Sequence, residues 1–261
     1  MDLYGILQNQ WGIFLLILTR TSGIFILAPF LGSMNIPVYI RAGSAFAFAV
    51  VLFPVVSAGA QEVPLPETLI GFTASILMEL FVGWLIGFVG YLAFSSIHFA
   101  GSLIDMQIGF SVANVIDPTS GQHVPLVGSF LYNLALIIFL VTNSHHIVIA
   151  ALYGSFEMIP LNGVAVDLSL TNIIINFVAG IFVSGLKIAL PILFAVLLTD
   201  VGLGILARTM PQMNIFVVGI PAKIVIGLVV LTIALPFYIL FLDVMFNEVY
   251  GNILLALRAI Q

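Results

Sequence analysis

The sequence predicts an all-α, polytopic membrane protein built from about six kinked apolar helices. Three observations carry that reading. Hydrophobic residues fill 62% of the 261 positions and charged residues only 7%, where a soluble domain has roughly 25% charged. The mean hydropathy is +1.28. The apolar residues also come in long blocks, each near or above the ~20 residues that cross a bilayer at about 1.5 Å per residue.

Taken in order, the blocks are Trp11–Phe30, Tyr39–Val56, Thr68–Phe94 with a continuation toward Ile108, Leu126–Tyr153, Asn172–Thr199 and Ile215–Phe246. Several exceed what a span requires, so they tilt or extend beyond the bilayer. Pro54, Pro191, Pro221 and Pro236 fall in or at the ends of these blocks. Each lacks a backbone donor and kinks or ends its helix. The carbonyls so freed need cover in lipid, so the helices should be packed against protein. The opening residues, Met1–Gly12, carry an acid and no basic run. They do not read as a cleaved signal peptide, and the first block is expected to serve as the insertion signal.

The connections are short, and none holds a folded soluble domain. With six spans, loops one, three and five share a side. Arg41, Arg208 and nearby Lys223 place that side in the cytoplasm, while Glu62, Glu67, Glu157 and Asp167 occupy loops two and four without any Lys or Arg. Arg258 in the tail argues the other way.

Eleven acids against six bases give a net charge of −5, with no basic run for nucleic acid and no polybasic lipid-binding cluster. Cysteine is absent, which removes disulfides, thiolate metal sites and cysteine nucleophiles. His145 and His146 are adjacent and so lie about 100° apart on a helix, unlike the i, i+4 spacing of a metal-binding pair. There is no G-x-S-x-G, no phosphate-binding P-loop, and Gly202–Leu206 lacks the third glycine of a dinucleotide fingerprint. The chain is not expected to be an enzyme, nor to carry catalytic, cofactor or metal residues.

Arg20, Glu79, Lys187 and Asp243 lie within candidate spans, where each charge costs about 2.5–3.5 kcal/mol at a helix centre. They form either a proton or ion relay or a set of interhelical polar contacts; Glu79 with Lys187 is a candidate pair. Gly83, Gly87 and Gly90 place small residues at the spacing that lets membrane helices approach closely.

Between the third and fourth blocks runs Gly109–Gly128, "GFSVANVIDPTSGQHVPLVG", an irregular and partly polar stretch. Non-helical backbone at membrane depth survives only inside protein or along a cavity; a solvent-facing loop is the alternative. Gly109, Ser111, Ala113 and Gly121 are small enough for a narrow lumen, while Phe110, Val112, Val115 and Ile116 provide apolar bulk. Asp117-Pro118 starts a turn, and Gly121 can adopt positive φ.

Three stretches together, Thr19–Gly43, Gly101–Leu126 and Asp200–Ile224, resemble the FliR family of flagellar type III protein-export gate subunits, which has a counterpart, SctT, in virulence-type secretion systems. The most specific block is "ARTMPQMNIFVVGIPAK". The resemblance covers nearly the whole chain and implies a multi-pass subunit of the bacterial cytoplasmic membrane in the flagellar basal body. It implies FliP and FliQ as partners, FlhB and FlhA nearby, and unfolded secreted proteins in transit. It also implies that residues from about 1 to 170 are FliP-like and those from about 171 to 261 form a FliQ-like hairpin. The assembled gate of the family sits largely above the bilayer plane. By the same resemblance, Gly109 to Pro125 is the pore plug, including Asn114 with the residues named above. Met106 and Met210 are either apolar pore seals or core. Arg208, Met210, Pro211, Gln212 and Asn214 form a turn suited to contact an FlhB-like loop, or simply a capped connection. A small-molecule secondary transporter with a midplane site is the competing function; it calls for paired broken helices in two similar halves, and no such repeat is visible.

Overall fold

The computed structural model describes residues 3–29, 32, 36–59, 65–66, 68–110, 125–165, 167–212 and 214–261. Among these every regular element is a helix. In chain order they are α1 Leu3–Leu27, α2 Val38–Gly59, α3 Leu69–Ile108, α4 Leu126–Val141, α5 His145–Met158, α6 Ser169–Thr209 and α7 Ile215–Arg258.

Five of the described helices are long and apolar enough to cross a membrane, and a sixth span arises if α4 and α5 are taken as one broken pair. The sequence reading joins that pair into the single block Leu126–Tyr153. The chain instead breaks at Thr142–Ser144, where Asn143 adopts the left-handed conformation with φ 57°. Asparagine tolerates that conformation better than most residues, so Asn143-Ser144 ends one helix and the next begins at His145. Helix α5 then continues to Met158, past Gly154, where the sequence reading opens the loop.

Helices α3, α6 and α7 contain 40, 41 and 44 residues. At about 1.5 Å per residue each is roughly 60–66 Å long, about twice the ~30 Å hydrocarbon core. Helix α6 runs to Thr209, beyond the Thr199 boundary expected of the fifth block. Pro54, Pro191, Pro221 and Pro236 all lie inside helices.

Contacts divide the chain into two compact units. The first comprises Met1–Leu92, Thr142–Phe177 and Phe246–Gln261; the second comprises Ala93–Val141 and Val178–Met245. Within the first, α1 packs on α2 through edge-to-face rings: Phe14 lies 5.7 Å from both Phe46 and Phe53. The turn after α5 is tied to the C-terminal residues by Ala165 N–H to Ile260 C=O at 3.0 Å and Asp167 N–H to Ala259 C=O at 3.2 Å. Hydrogen bonds from the Ser169 hydroxyl and then from the Leu168 N–H hold the exposed Asp167 carboxyl below the usual carboxylate range, as suits an acid beside the start of α6.

Within the second unit, Phe94 meets Tyr132 and Phe139 edge-on at 5.6 and 5.5 Å, and Phe99 meets Phe182 at 5.1 Å. The Tyr238 hydroxyl donates to the Leu131 carbonyl at 2.9 Å. Lys223 and Asp200 form an ion pair between α7 and α6. These contacts hold α4, α6 and α7 around the C-terminal part of α3.

Candidate functional site

Three features that the sequence singles out take clear positions. The first is a buried cluster in unit one. Arg20 and Glu79, both fully buried, pair Nε to Oε2 at 2.5 Å. Glu79 therefore pairs with Arg20 and not with Lys187, the partner the sequence suggests. Arg20 Nη1 also donates to the Ser155 carbonyl at 2.9 Å and the Ile159 carbonyl at 3.1 Å. Its guanidinium carbon stands 4.3 Å from the centre of the Phe156 ring. Glu79 Oε1 accepts the Asn162 N–H at 3.0 Å, and Asn162 Oδ1 accepts the Ser75 hydroxyl at 2.5 Å. Asn162 holds this place with φ 66°. One salt bridge thus joins α1 to α3, and its hydrogen bonds capture the C-terminal end of α5 as well.

This arrangement follows from what a charge needs away from water. A lone buried guanidinium or carboxylate is costly, whereas a paired one with further hydrogen bonds is tolerated. The last carbonyls of a helix lack part of their usual hydrogen bonding, and here the Ser155 carbonyl accepts both from the Ile159 N–H at 2.9 Å and from Arg20. The sequence flags Arg20 and Glu79. It misses Ser75, Ser155 and Asn162, which give no signal until the helices are assembled.

The second feature is the glycine seam along which the pair is set. A Cβ on Gly83 would collide with the Arg20 carbonyl oxygen, and one on Gly87 would lie 3.0 Å from the Ile24 oxygen. Gly90 faces the Pro29 ring. Gly23 answers from α1, its own Cβ position being 2.6 Å from the Leu80 oxygen. The close backbone approach brings Arg20 and Glu79 into direct contact.

The third feature lies in unit two, at the two ends of the polar stretch. Ser111 to Gly121, and so Val112, Ala113, Asn114, Val115, Ile116, Asp117 and Pro118, lie outside the described residues, as do the positions up to 124. Gly109 and Phe110 are described. Gly109 ends α3 with φ 100°, and the N–H groups of Gly109 and Phe110 both donate to the Asp105 carbonyl, at 3.2 and 3.1 Å. This is a glycine-terminated C-cap. On the far side of the stretch, α4 begins after Pro125. Its Val127 and Gly128 N–H groups donate to Asp105 Oδ1 and Oδ2 at 3.0 and 3.1 Å. Gly101 and Gly128 bring the two backbones together here, since a Cβ on Gly101 would overlap the Gly128 Cα. Asp105 is 5% exposed. The sequence reading misses it, because its charge falls in the continuation past Phe94, near the end of the block. The available signals are an acid one helical turn after Gly101 and a Pro125 with no side-chain acceptor to cap α4.

The other two embedded charges are placed differently. Lys187 and Asp243 are exposed and form no ion pair among the described residues. Lys187 lines a cavity of about 420 Å³ whose other walls are apolar side chains, including Ile104, Leu131, Pro191 and Phe241. Arg208, Met210, Pro211, Gln212 and Asn214 are all exposed at the connection between α6 and α7. Met106 is 68% exposed. Among the described residues no group of three or more His, Asp or Glu is placed to hold a metal ion.

A model of the family described as "Bacterial export proteins, family 1" matches residues 11–249. The chain is 35% identical over 225 residues to the flagellar biosynthetic protein FliR of Bacillus subtilis, covering 85% of each. It is 28% identical to FliR of Escherichia coli, over 90% of this chain and 88% of that one. It is 30% identical to FliR of Caulobacter vibrioides, over 84% and 87%. The family match reaches into every helix named above, including the Arg20–Glu79 cluster and both stems held by Asp105, and the relatives align over nearly the same extent; the chain belongs to the bacterial export proteins, family 1, the FliR family.

Proposed function

We propose that the chain is a structural and gating subunit of the flagellar protein-export channel in the bacterial inner membrane. In this reading it forms part of the pore with FliP-like and FliQ-like subunits, and the stretch from Gly109 to Pro125 fills the closed pore as a plug. Residues from about 171 to 261 act as the FliQ-like hairpin and those before as the FliP-like part. The exposed turn with Arg208, Met210, Pro211, Gln212 and Asn214 meets an FlhB-like loop, with FlhA nearby, and unfolded secreted chains pass through the pore.

The supporting observation is the pair of stems. Helix α3 ends at Ile108 and α4 begins at Leu126, and both ends bond to Asp105. The two ends of the stretch between them therefore meet at one residue. Two stems held at one residue are the base that a plug loop needs. The exposed Lys187 and Asp243 support the assembly: an unpaired charge on a spanning helix is costly in lipid and is relieved by a neighbouring subunit.

Affinity purification from membranes co-expressing FliP-like and FliQ-like subunits tests this reading. All three chains should elute together as one complex. A chain that elutes alone under those conditions, and binds a small solute, would point to the transporter instead.

A further inference from the structure

A helix leaves its first N–H groups without intrahelical partners, and an acceptor side chain just before the helix usually meets them. Before α4 that position is Pro125, which has no acceptor. The need is met from another helix: both carboxylate oxygens of Asp105 take the N–H groups of Val127 and Gly128. The main-chain carbonyl of the same residue takes those of Gly109 and Phe110. A single buried side chain and its own carbonyl thus bind the last turn before the polar stretch and the first turn after it. The negative charge also sits where the α4 dipole favours one, and the Gly101–Gly128 contact brings the start of α4 against the helix that carries Asp105.

We infer that Asp105 is a positioning residue that fixes the separation of Phe110 and Pro125, and with it the point from which the intervening stretch departs. The consequence for the pore rests on the plug reading above; the clamp itself does not. The clamp predicts that loss of the carboxylate lets the two stems part while α3 and α4 remain helical. A cap that served only the stability of α4 would not set this separation.

The chain has no cysteine, so nitroxide labels can be placed at Met106→Cys and Leu126→Cys alone, at positions 68% and 62% exposed. In the complex assembled with the partner subunits, short-range dipolar broadening reports the stem separation, and ion conductance is measured on the same preparation. Asp105→Ala should abolish most of the broadening. Asp105→Asn retains one acceptor for one of the two N–H groups and should restore a large part of it. Gly83→Ala, which strains the chain in the other unit, should leave it unchanged. Broadening that persists in Asp105→Ala, or that falls equally in Gly83→Ala, overturns the clamp whatever the conductance does. Stems that part in Asp105→Ala without any rise in conductance confirm the clamp and remove the plug reading.

Discussion

Arg20 carries a full charge in a position with no solvent exposure, and its environment determines what substitution does. Replacing it with Met leaves the Glu79 carboxylate buried with the Asn162 N–H as its remaining described donor. Breaking one side of a buried pair costs about 3–5 kcal/mol. Arg20→Met should therefore lower the unfolding midpoint of the purified chain in detergent by that equivalent. The double variant with Glu79→Leu should recover a substantial part, because no orphaned carboxylate remains. A single variant as stable as the parent would show that the pair adds little. The same reasoning separates Lys187 and Asp243 from Arg20 and Glu79. All four are visible in the sequence as charges in apolar blocks, but only assembly of the helices shows that two neutralise each other and two are left exposed.

At the scale of the helix, the glycines differ in what they permit. Gly83 in α3 lies against backbone, which cannot yield, whereas Gly180 and Gly202 in α6 have open space at the Cβ position. Gly83→Ala should cost about 1–3 kcal/mol through overpacking. Gly180→Ala and Gly202→Ala should be neutral or stabilise by up to about 1 kcal/mol, since alanine is the better helix former where nothing stands in its way. Thermal unfolding of the three variants in detergent checks the order, and equal effects at all three positions would refute the seam. Much of the helical architecture is legible in the sequence because lipid imposes a long run of apolar residues, which composition records directly. The break at Asn143 is not, since one left-handed asparagine inside an apolar block leaves the mean hydropathy almost unchanged. Helix ends are also harder to place. A boundary set at Thr199, just before a charge, fails because Asp200 is neutralised by Lys223 and α6 continues. The stems of the polar stretch are legible as a glycine and a proline, but the residue that joins them is not, because its partners are twenty-two and twenty-three positions away.

Over the whole molecule, exposed charge on apolar helices, helices about twice the length of the bilayer core and two stems joined at Asp105 suit the proposed subunit of a larger assembly. In the proposed function, Gly109 to Pro125 closes a pore. Its most direct test is ion conductance through the assembled complex after deletion of Phe110–Ser120. The remaining residues 121–124 can span about 13 Å at their full extension, and the stems meet at one residue, so α3 and α4 stay linked by four residues. The deleted complex should assemble with its partners and conduct small ions well above the parent. Conductance equal to the parent's, in a complex shown to contain every subunit, would contradict the plug.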